Sequence, residues 1–273
     1  MSDLLGPILE RKRREIARRH AHGRLLRDER SRSGVTAPDD RASIAVERLR
    51  RLPADAPRVI AEIKMRSPSA GLIRHRHAGL VQAIAREYVQ AGAAAVSVLC
   101  DGPGFGGGPL DLRRAAAAVS VPLLFKEFVL DPIQIELARA MGAHMVLLIV
   151  RALEPRQLNE LVDETLNRRM APVVEAADEH ELEIALATRA TLVGVNARDL
   201  RTFRVDRERA LRAIERVPGD RVAIHMSGIG SAGDLRAVAE SRADAALVGE
   251  ALMRSPAPVA ELRGWLDACR PAR

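Results

Sequence analysis

Cysteine, aromatic residues and lysine are all scarce in this chain of 273 residues, and each scarcity closes off a class of function. Two cysteines, Cys100 and Cys269, are too few for a disulfide framework or a cysteine-rich zinc site. Aromatic residues make up 2%: Trp265, Tyr88, Phe105, Phe125, Phe128 and Phe203. Single-stranded nucleic acids are bound on stacking platforms interleaved with cations, and these scattered rings do not supply one. The longest stretch free of charge, Tyr88 to Cys100, is shorter than the roughly 18 residues of a membrane span. The amino terminus, MSDLLGPILERKRREIARRH, has no apolar signal core and reads as a charged amphipathic helix. The expectation is a cytoplasmic, enzyme-sized protein that binds neither membrane nor nucleic acid.

The third scarcity is the most informative. Only three of the 43 cationic side chains are lysine: Lys12, Lys64 and Lys126. Arginine stays charged in a protein, whereas a partly buried ammonium can be tuned as acid, base or nucleophile. Lys12, in the charged amino-terminal helix, is taken as incidental. Lys64 and Lys126 end the apolar runs VIAEIK (59–64) and VPLLFK (121–126), and two lysines in equivalent places point to chemistry.

What the chain does contain is a globular balance: 47% hydrophobic residues, 29% charged, and a net charge of +7. The arginines crowd into helical stretches such as 11–19 and 48–51, where a solvated face accounts for them. A small anionic substrate suits the basic balance as well as nucleic acid does, and no nucleic-acid-binding motif is present.

Mostly apolar runs of strand length occur at 57–64, 94–99, 121–126, 144–150, 171–175, 191–196, 221–225 and 244–248. Continuous rather than alternating hydrophobicity suits strands buried on both faces. Amphipathic stretches such as 154–169, 178–188, 231–241 and 257–268 lie between and after them. One helix announces both ends, with Asp131 as N-cap, Pro132 in its first turn and Gly142 past its end. Eight β-then-α units predict one (β/α)8 barrel over residues 53–273, preceded by a helical extension over 1–52 with a polar segment at 27–42. An open doubly wound sheet is the alternative and would need eight strands in line.

Barrel active sites form where strands end. Those ends gather Glu62 and Lys64, Cys100 and Asp101, Lys126, Arg151, Glu175, Asn196, Met226 and Ser227, and Gly249 and Glu250. Such a set can deliver and remove protons. Phe105 and Phe128 fall in loops on the same side and could wall an aromatic substrate. The loops MSGIGSAG (226–233) and GEAL (249–252) lead into helices whose N–H groups attract phosphate. Gly228, Gly230 and Gly233 also spell a dinucleotide fingerprint with Glu250 downstream, but that motif belongs to a first βα turn and here opens the seventh unit. The His20/His22 and His75/His77 pairs have no third ligand beside them and read as surface residues.

The segment IAEIKMRSPSAGLI (60–73) resembles the signature of the indole-3-glycerol phosphate synthase family, in which a Glu-x-Lys strand end precedes Ser-Pro-Ser. FGGGPLDL (105–112), LFKEFVLDPIQIELARAMGAHMVLLIV (124–150), VVEAADEHELEIAL (173–186), VGVNARDLRTFRVD (193–206) and ALVGEALM (246–253) resemble later family blocks in order and spacing. The resemblance implies a carboxy-lyase of tryptophan biosynthesis that closes the ring of 1-(2-carboxyphenylamino)-1-deoxyribulose 5-phosphate with loss of carbon dioxide and water. It implies Lys126 as proton donor to the substrate carbonyl, with Lys64, Glu62 and Glu175 serving the dehydration and Asn196 orienting substrate. Ser227, Gly228 and Gly249 would hold phosphate, with Arg198 and Glu250 also on the binding surface, and Ser67, Phe105 and Phe128 would shape the anthranilate side. No cofactor or metal is implied, the only partner is a small phosphorylated substrate, and the protein is expected as a monomer or homodimer.

The chain also departs from the family pattern. Met226 stands where Glu is usual before Ser-Gly, so a carboxylate expected beside the lysines is missing, and with it one influence holding a lysine's pKa up. Cys100 replaces a usual Thr, Gly108 a usual Ser, and Ala176-Ala177 a frequent Val-His. The alternatives are therefore a paralogue acting on a related phosphosugar adduct, or a non-catalytic phosphosugar-binding barrel. Retention of Glu62, Lys64, Lys126, Glu175 and Asn196 together speaks against the last.

Overall fold

The computed structural model describes residues 5–26, 40–52, 55–199 and 204–270. Most of the polar segment at 27–42, together with Phe203 and the side chain of His22, lies outside the described residues. Eight parallel strands close into a barrel: β1 (Arg58–Ile63), β2 (Ala95–Leu99), β3 (Leu123–Lys126), β4 (Met145–Ile149), β5 (Ala171–Ala176), β6 (Leu192–Asn196), β7 (Val222–Met226) and β8 (Ala245–Val248). Each lies within two residues of its expected run at either end. Closure is made by β1, which pairs with β8 from Arg58↔Ala245 to Ala61↔Val248 and with β2 from Ile60↔Ala95 to Ile63↔Val98. The open-sheet alternative is thereby excluded. Side chains fill the barrel inside and helices cover it outside, which is why β2, β4, β5, β6, β7 and β8 are buried at every residue.

The helices are α1 (Leu5–Leu26), α2 (Arg41–Leu49), α3 (Leu80–Ala91), α4 (Gly102–Phe105), α5 (Pro109–Ala116), α6 (Pro132–Ala140), α7 (Pro155–Asn167), α8 (Glu179–Ala187), α9 (Arg207–Ile214), α10 (Ala232–Ala239), α11 (Glu250–Arg254) and α12 (Pro258–Ala268). Local chemistry sets their ends. Asp131 Oδ1 accepts from the Ile133 amide at 2.9 Å while Gln134 Oε1 accepts from the Asp131 amide at 3.2 Å, a reciprocal cap that stabilises α6 by about 1 kcal/mol. One small element was not expected: after β1 the chain makes a hairpin of Arg66–Ser67 against Gly71–Leu72. Ser67 Oγ accepts from the Ala70 amide at 3.1 Å, and Gly71 turns the chain at φ 65.

The amino-terminal extension serves the two ends of the barrel separately. Helix α2, capped by Asp40, buries Ala45 and Leu49 and carries arginines onto the loops that precede the strands. Helix α1 buries Leu5, Leu9, Lys12 and Ile16, a stripe at helical spacing, and meets the segments that follow β2 and β3.

Candidate active site

Alternation along a strand points every second side chain the same way, so Glu62 and Lys64 leave the end of β1 on one face. Lys64 Nζ lies 3.3 Å from Glu62 Oε1. From β3, Lys126 Nζ lies 4.0 Å from the other oxygen of Glu62 and 3.8 Å from Glu175 Oε2. Glu62 therefore stands between the two lysines. It also accepts from Ser97 Oγ at 3.4 Å, and the absent side chain of Gly249 makes room for it, since a Cβ there would lie 2.8 Å from Glu62 Oε1. On the far side Asn196 Nδ2 donates to Glu175 Oε1 at 2.9 Å, while Asn196 Oδ1 accepts from the Arg198 amide at 2.9 Å. Glu62 and Glu175 are buried, whereas both lysines keep some exposure, at 15% for Lys64 and 17% for Lys126. Two partly exposed ammonium groups beside two buried carboxylates form an acid–base set.

These residues line one cavity with Ser67, Phe105, Phe128, Arg198, Ser227 and Glu250. Phe105, which ends the short helix α4 rather than lying in a loop, and Phe128 face each other with centroids 6.2 Å apart and ring planes 38° apart. They wall one side with an apolar surface suited to an aromatic ring. Leu147 and Ile149 from β4, Leu247 from β8 and Leu99 from β2 also line the cavity, as do Ser69 and Glu127. Sequence reasoning missed these six; counting back in twos from each strand end would have found Leu147, and adjacency to Lys126 would have flagged Glu127. A larger cavity of about 850 Å³ lies at the other end, between α2 and α12, but neither lysine nor histidine is among its lining residues.

Several residues named from the strand ends play other parts. Cys100 is buried, its thiol pushed well up by desolvation and donating to the Val98 carbonyl at 3.3 Å. Asp101 is buried and pairs with Arg11 and Lys12. Arg151 is bound to Glu181 at 2.7 Å and also approaches Asp178 and Asp199. Met226 is 1% exposed and leans onto Gly194, where a Cβ would lie 2.4 Å from its Sδ. It therefore packs inside the barrel and does not line the cavity.

The glycine loops also sort themselves. Ser227 and Gly228 both adopt positive φ, at 68 and 78, which turns the chain sharply out of β7. Gly228 and Gly249 are not among the cavity-lining residues; the Gly228 carbonyl accepts from Arg207 at 2.9 Å. Two donors at the start of α10 are already taken, because Asp234 accepts from the Gly230 amide at 2.9 Å and Ser231 from the Asp234 amide at 3.2 Å. Gly249, by contrast, places no side-chain cap on α11. Glu250 reaches the cavity, yet its carboxylate accepts from Arg254 at 3.1 Å. His75 and His77 are exposed as expected, whereas His20 is partly buried and its Nε2 lies 3.0 Å from Asp131 Oδ2. Among the described residues no grouping of His, Cys, Asp and Glu is arranged to hold a metal ion.

Lys12 is the main correction. It is 2% exposed, and its Nζ meets Glu15 at 2.9 Å, Glu127 at 3.0 Å and Asp101 at 3.2 Å. Burial pulls its pKa down, but the three carboxylates outweigh that and raise it, so the ammonium stays charged. Burial pushes Glu127 up to about 7 against the pull of Lys12, and nearby Asp101 adds to the rise.

Solved structures with this fold include the tryptophan synthase alpha subunit from Legionella pneumophila str. Paris, with TM-score 0.57 and 14% identity over 78% of this chain and 92% of that one. Another is the N-acetylmannosamine-6-phosphate 2-epimerase from Clostridium perfringens, with TM-score 0.60 and 13% identity over 80% and 93%. At such identities the likeness is one of fold. Sequence relatives are nearer. A protein of Leifsonia xyli subsp. xyli (strain CTCB07) named indole-3-glycerol phosphate synthase is 47% identical over 78% of this chain and 82% of its own. One of the same name from Koribacter versatilis (strain Ellin345) is 41% identical over 96% and 98%. The indole-3-glycerol phosphate synthase family model matches residues 5–264, a span that takes in α1 and all eight strands, and the chain belongs to that family.

Proposed function

We propose that the protein is an indole-3-glycerol phosphate synthase, converting 1-(2-carboxyphenylamino)-1-deoxyribulose 5-phosphate to indole-3-glycerol phosphate, carbon dioxide and water. The observation that carries the reading is Lys126 placed between Glu175 and Glu62, with Lys64 on the far side of Glu62. As the ring carbon bearing the carboxylate attacks the sugar carbonyl, Lys126 gives its proton to the carbonyl oxygen and stabilises the charge developing there. Carbon dioxide leaves and its bonding pair returns to the ring. The hydroxyl so formed departs as water with Lys64 as acid and the nitrogen lone pair pushing it out, and Glu62 or Glu175 takes a proton from the carbon next to the nitrogen, which forms the second double bond of the new ring.

Asn196 and Arg198 orient the sugar, and Phe105, Phe128 and Ser67 enclose the anthranilate ring. Phosphate sits against Ser227 and the backbone of Gly228 and Gly249, with Lys64 and Glu250 at its margin. All of these roles fall to side chains or backbone of one barrel, with residues 1–52 as its helical extension, and the assembly is a monomer or homodimer. Met226 removes one family carboxylate, but Glu62 lies within 4.0 Å of both lysines, so an acidic neighbour remains for each. The relatives' shared name supports this substrate over a related phosphosugar adduct. Purified protein mixed with the carboxyphenylamino substrate should generate indole absorbance and fluorescence; no product at high enzyme concentration would overturn the proposal in favour of a different adduct.

A further inference from the structure

Two loops carry the aromatic wall, and one side chain from outside the barrel touches both. Asp101, at the end of β2, accepts from the Gly104 amide through Oδ2 at 2.8 Å, which caps α4 and sets the turn that presents Phe105. Its Oδ1 faces Arg11 at 2.6 Å and Lys12 at 3.2 Å. Glu127, at the end of β3, accepts from the Phe128 amide through Oε1 at 2.8 Å, while its Oε2 accepts from Lys12 at 3.0 Å. Each carboxylate thus holds an amide at or beside one ring with one oxygen, Gly104 before Phe105 or Phe128 itself, and faces Lys12 with the other, which Asp101 shares with Arg11. The two segments also meet directly, through the Cys100 amide and the Lys126 carbonyl at 2.9 Å.

A compact ammonium suits this place. It offers three donors, and three carboxylates surround it, whereas a planar guanidinium fork fits two coplanar acceptors. Burying Lys12, Asp101 and Glu127 together is expensive unless their geometry is kept for a purpose, since apolar packing of the same volume is often as stable. Helix α1 lies outside the barrel and contributes nothing to the cavity lining.

From this we infer that Lys12 is a positioning residue: it ties the Phe105 and Phe128 segments into one wall and so sets affinity for the aromatic half of the substrate. The inference rests on the proposed synthase reading only for the identity of that aromatic half. In Lys12→Met, KM for the carboxyphenylamino substrate should rise about tenfold while kcat stays within about threefold, because the reacting groups are untouched and only their aromatic support is loosened. Competitive inhibition by inorganic phosphate should be unchanged, which a general loss of structure would not allow.

A buried carboxylate without its cation destabilises the fold, so the second variant is Lys12→Met/Glu127→Gln, in which the neutral amide oxygen still accepts from the Phe128 amide. It should melt above the single variant and keep the raised KM, since the bridge stays broken. Affinity for anthranilate itself, read from its fluorescence, should fall in parallel in both variants. Absence of indole product from the wild type would count against the synthase reading alone, and the anthranilate titration would still test the wall. Unchanged KM and unchanged anthranilate affinity in the folded double variant would overturn the inference.

Discussion

The two ends of the barrel use cations differently. At the end where strands begin, arginines brace neutral backbone. Arg50 donates to the Gly219 and Asp220 carbonyls at 3.0 Å each and Arg51 to Ala239 at 2.9 Å and Ser241 at 3.0 Å, while Arg242 gives one nitrogen to Pro218 and Arg221 at 2.7 Å each and the other to the Asp244 carboxylate at 3.0 Å. A planar fork spans two carbonyls of a loop at once and never loses its charge. At the end where strands finish, all three lysines face carboxylates: Lys12, Lys64 and Lys126. Arginine pairs with carboxylates at this end as well, as Arg11 does with Asp101 and Arg151 with Glu181, but lysine stands where the charge must be compact or the proton must move.

The sharpest way to break that contrast is to exchange the cations. Lys126→Arg keeps the charge beside Glu62 and Glu175 but removes a transferable proton, so kcat should fall by about a thousandfold or more with the fold retained. Activity near that of the wild type would mean the position needs only charge. Next in size is Glu175→Gln. One oxygen of Glu175 accepts from Asn196, while Oε2 is buried and has no hydrogen-bond partner among the described residues. Neutralising it should lower kcat about a hundredfold while the melting temperature holds or rises, because a costly buried charge is removed. A fall in both would recast Glu175 as a structural residue.

How much of this the sequence made legible differs with the kind of signal. The strands were readable because burial on both faces leaves an uninterrupted apolar run, and Asp131, Pro132 and Gly142 bracket α6 by their own backbone preferences. The acid–base set followed, since a closed barrel brings all strand ends together. Met226 was harder: its register with Asn196 places it inside, but only the bare backbone of Gly194 opposite lets it lie down below the cavity. Lys12 was misread because two of its three partners are 89 and 115 positions away in the chain. A local clue existed, for Lys12 occupies the apolar stripe of Leu5, Leu9 and Ile16, where a solvated cation does not belong. The Ser231 and Asp234 contacts that occupy the Gly230 and Asp234 amides were likewise invisible to a glycine-spacing motif.

A third environment sharpens the contrast by having neither kind of partner. His225 is buried on β7, and among the described residues neither ring nitrogen has a hydrogen-bond partner. Desolvation pulls its pKa down from 6.5 to about 4, helped by Arg207 and opposed by Asp234. Between those values the unfolded chain binds the proton and the folded one does not. The His225 contribution to stability is therefore full above pH 6.5 and is lost as pH falls toward 4, by about 2 kcal/mol at pH 5, while Glu127, with its pKa raised, contributes in the opposite sense over the same window. His225→Leu should raise the melting temperature relative to wild type by more at pH 5 than at pH 7, and an equal difference at both would mean the imidazole is solvated in the native state.

The smallest expected effect returns to the strand-start end. Arg51→Lys keeps the charge but replaces a fork that spans the Ala239 and Ser241 carbonyls with a single ammonium, which can satisfy one carbonyl well at a time. The lost bond should cost about 1 kcal/mol of stability. Because Arg51 is remote from the cavity, kcat and KM should stay at wild-type values. The same substitution in reverse at Lys126 is expected to leave stability nearly intact and abolish turnover. If instead Arg51→Lys slowed turnover and Lys126→Arg did not, the assignment of bracing to one end and proton transfer to the other would have to be exchanged. Equal, small effects of both on turnover would remove chemistry as the reason lysine was kept at the mouth.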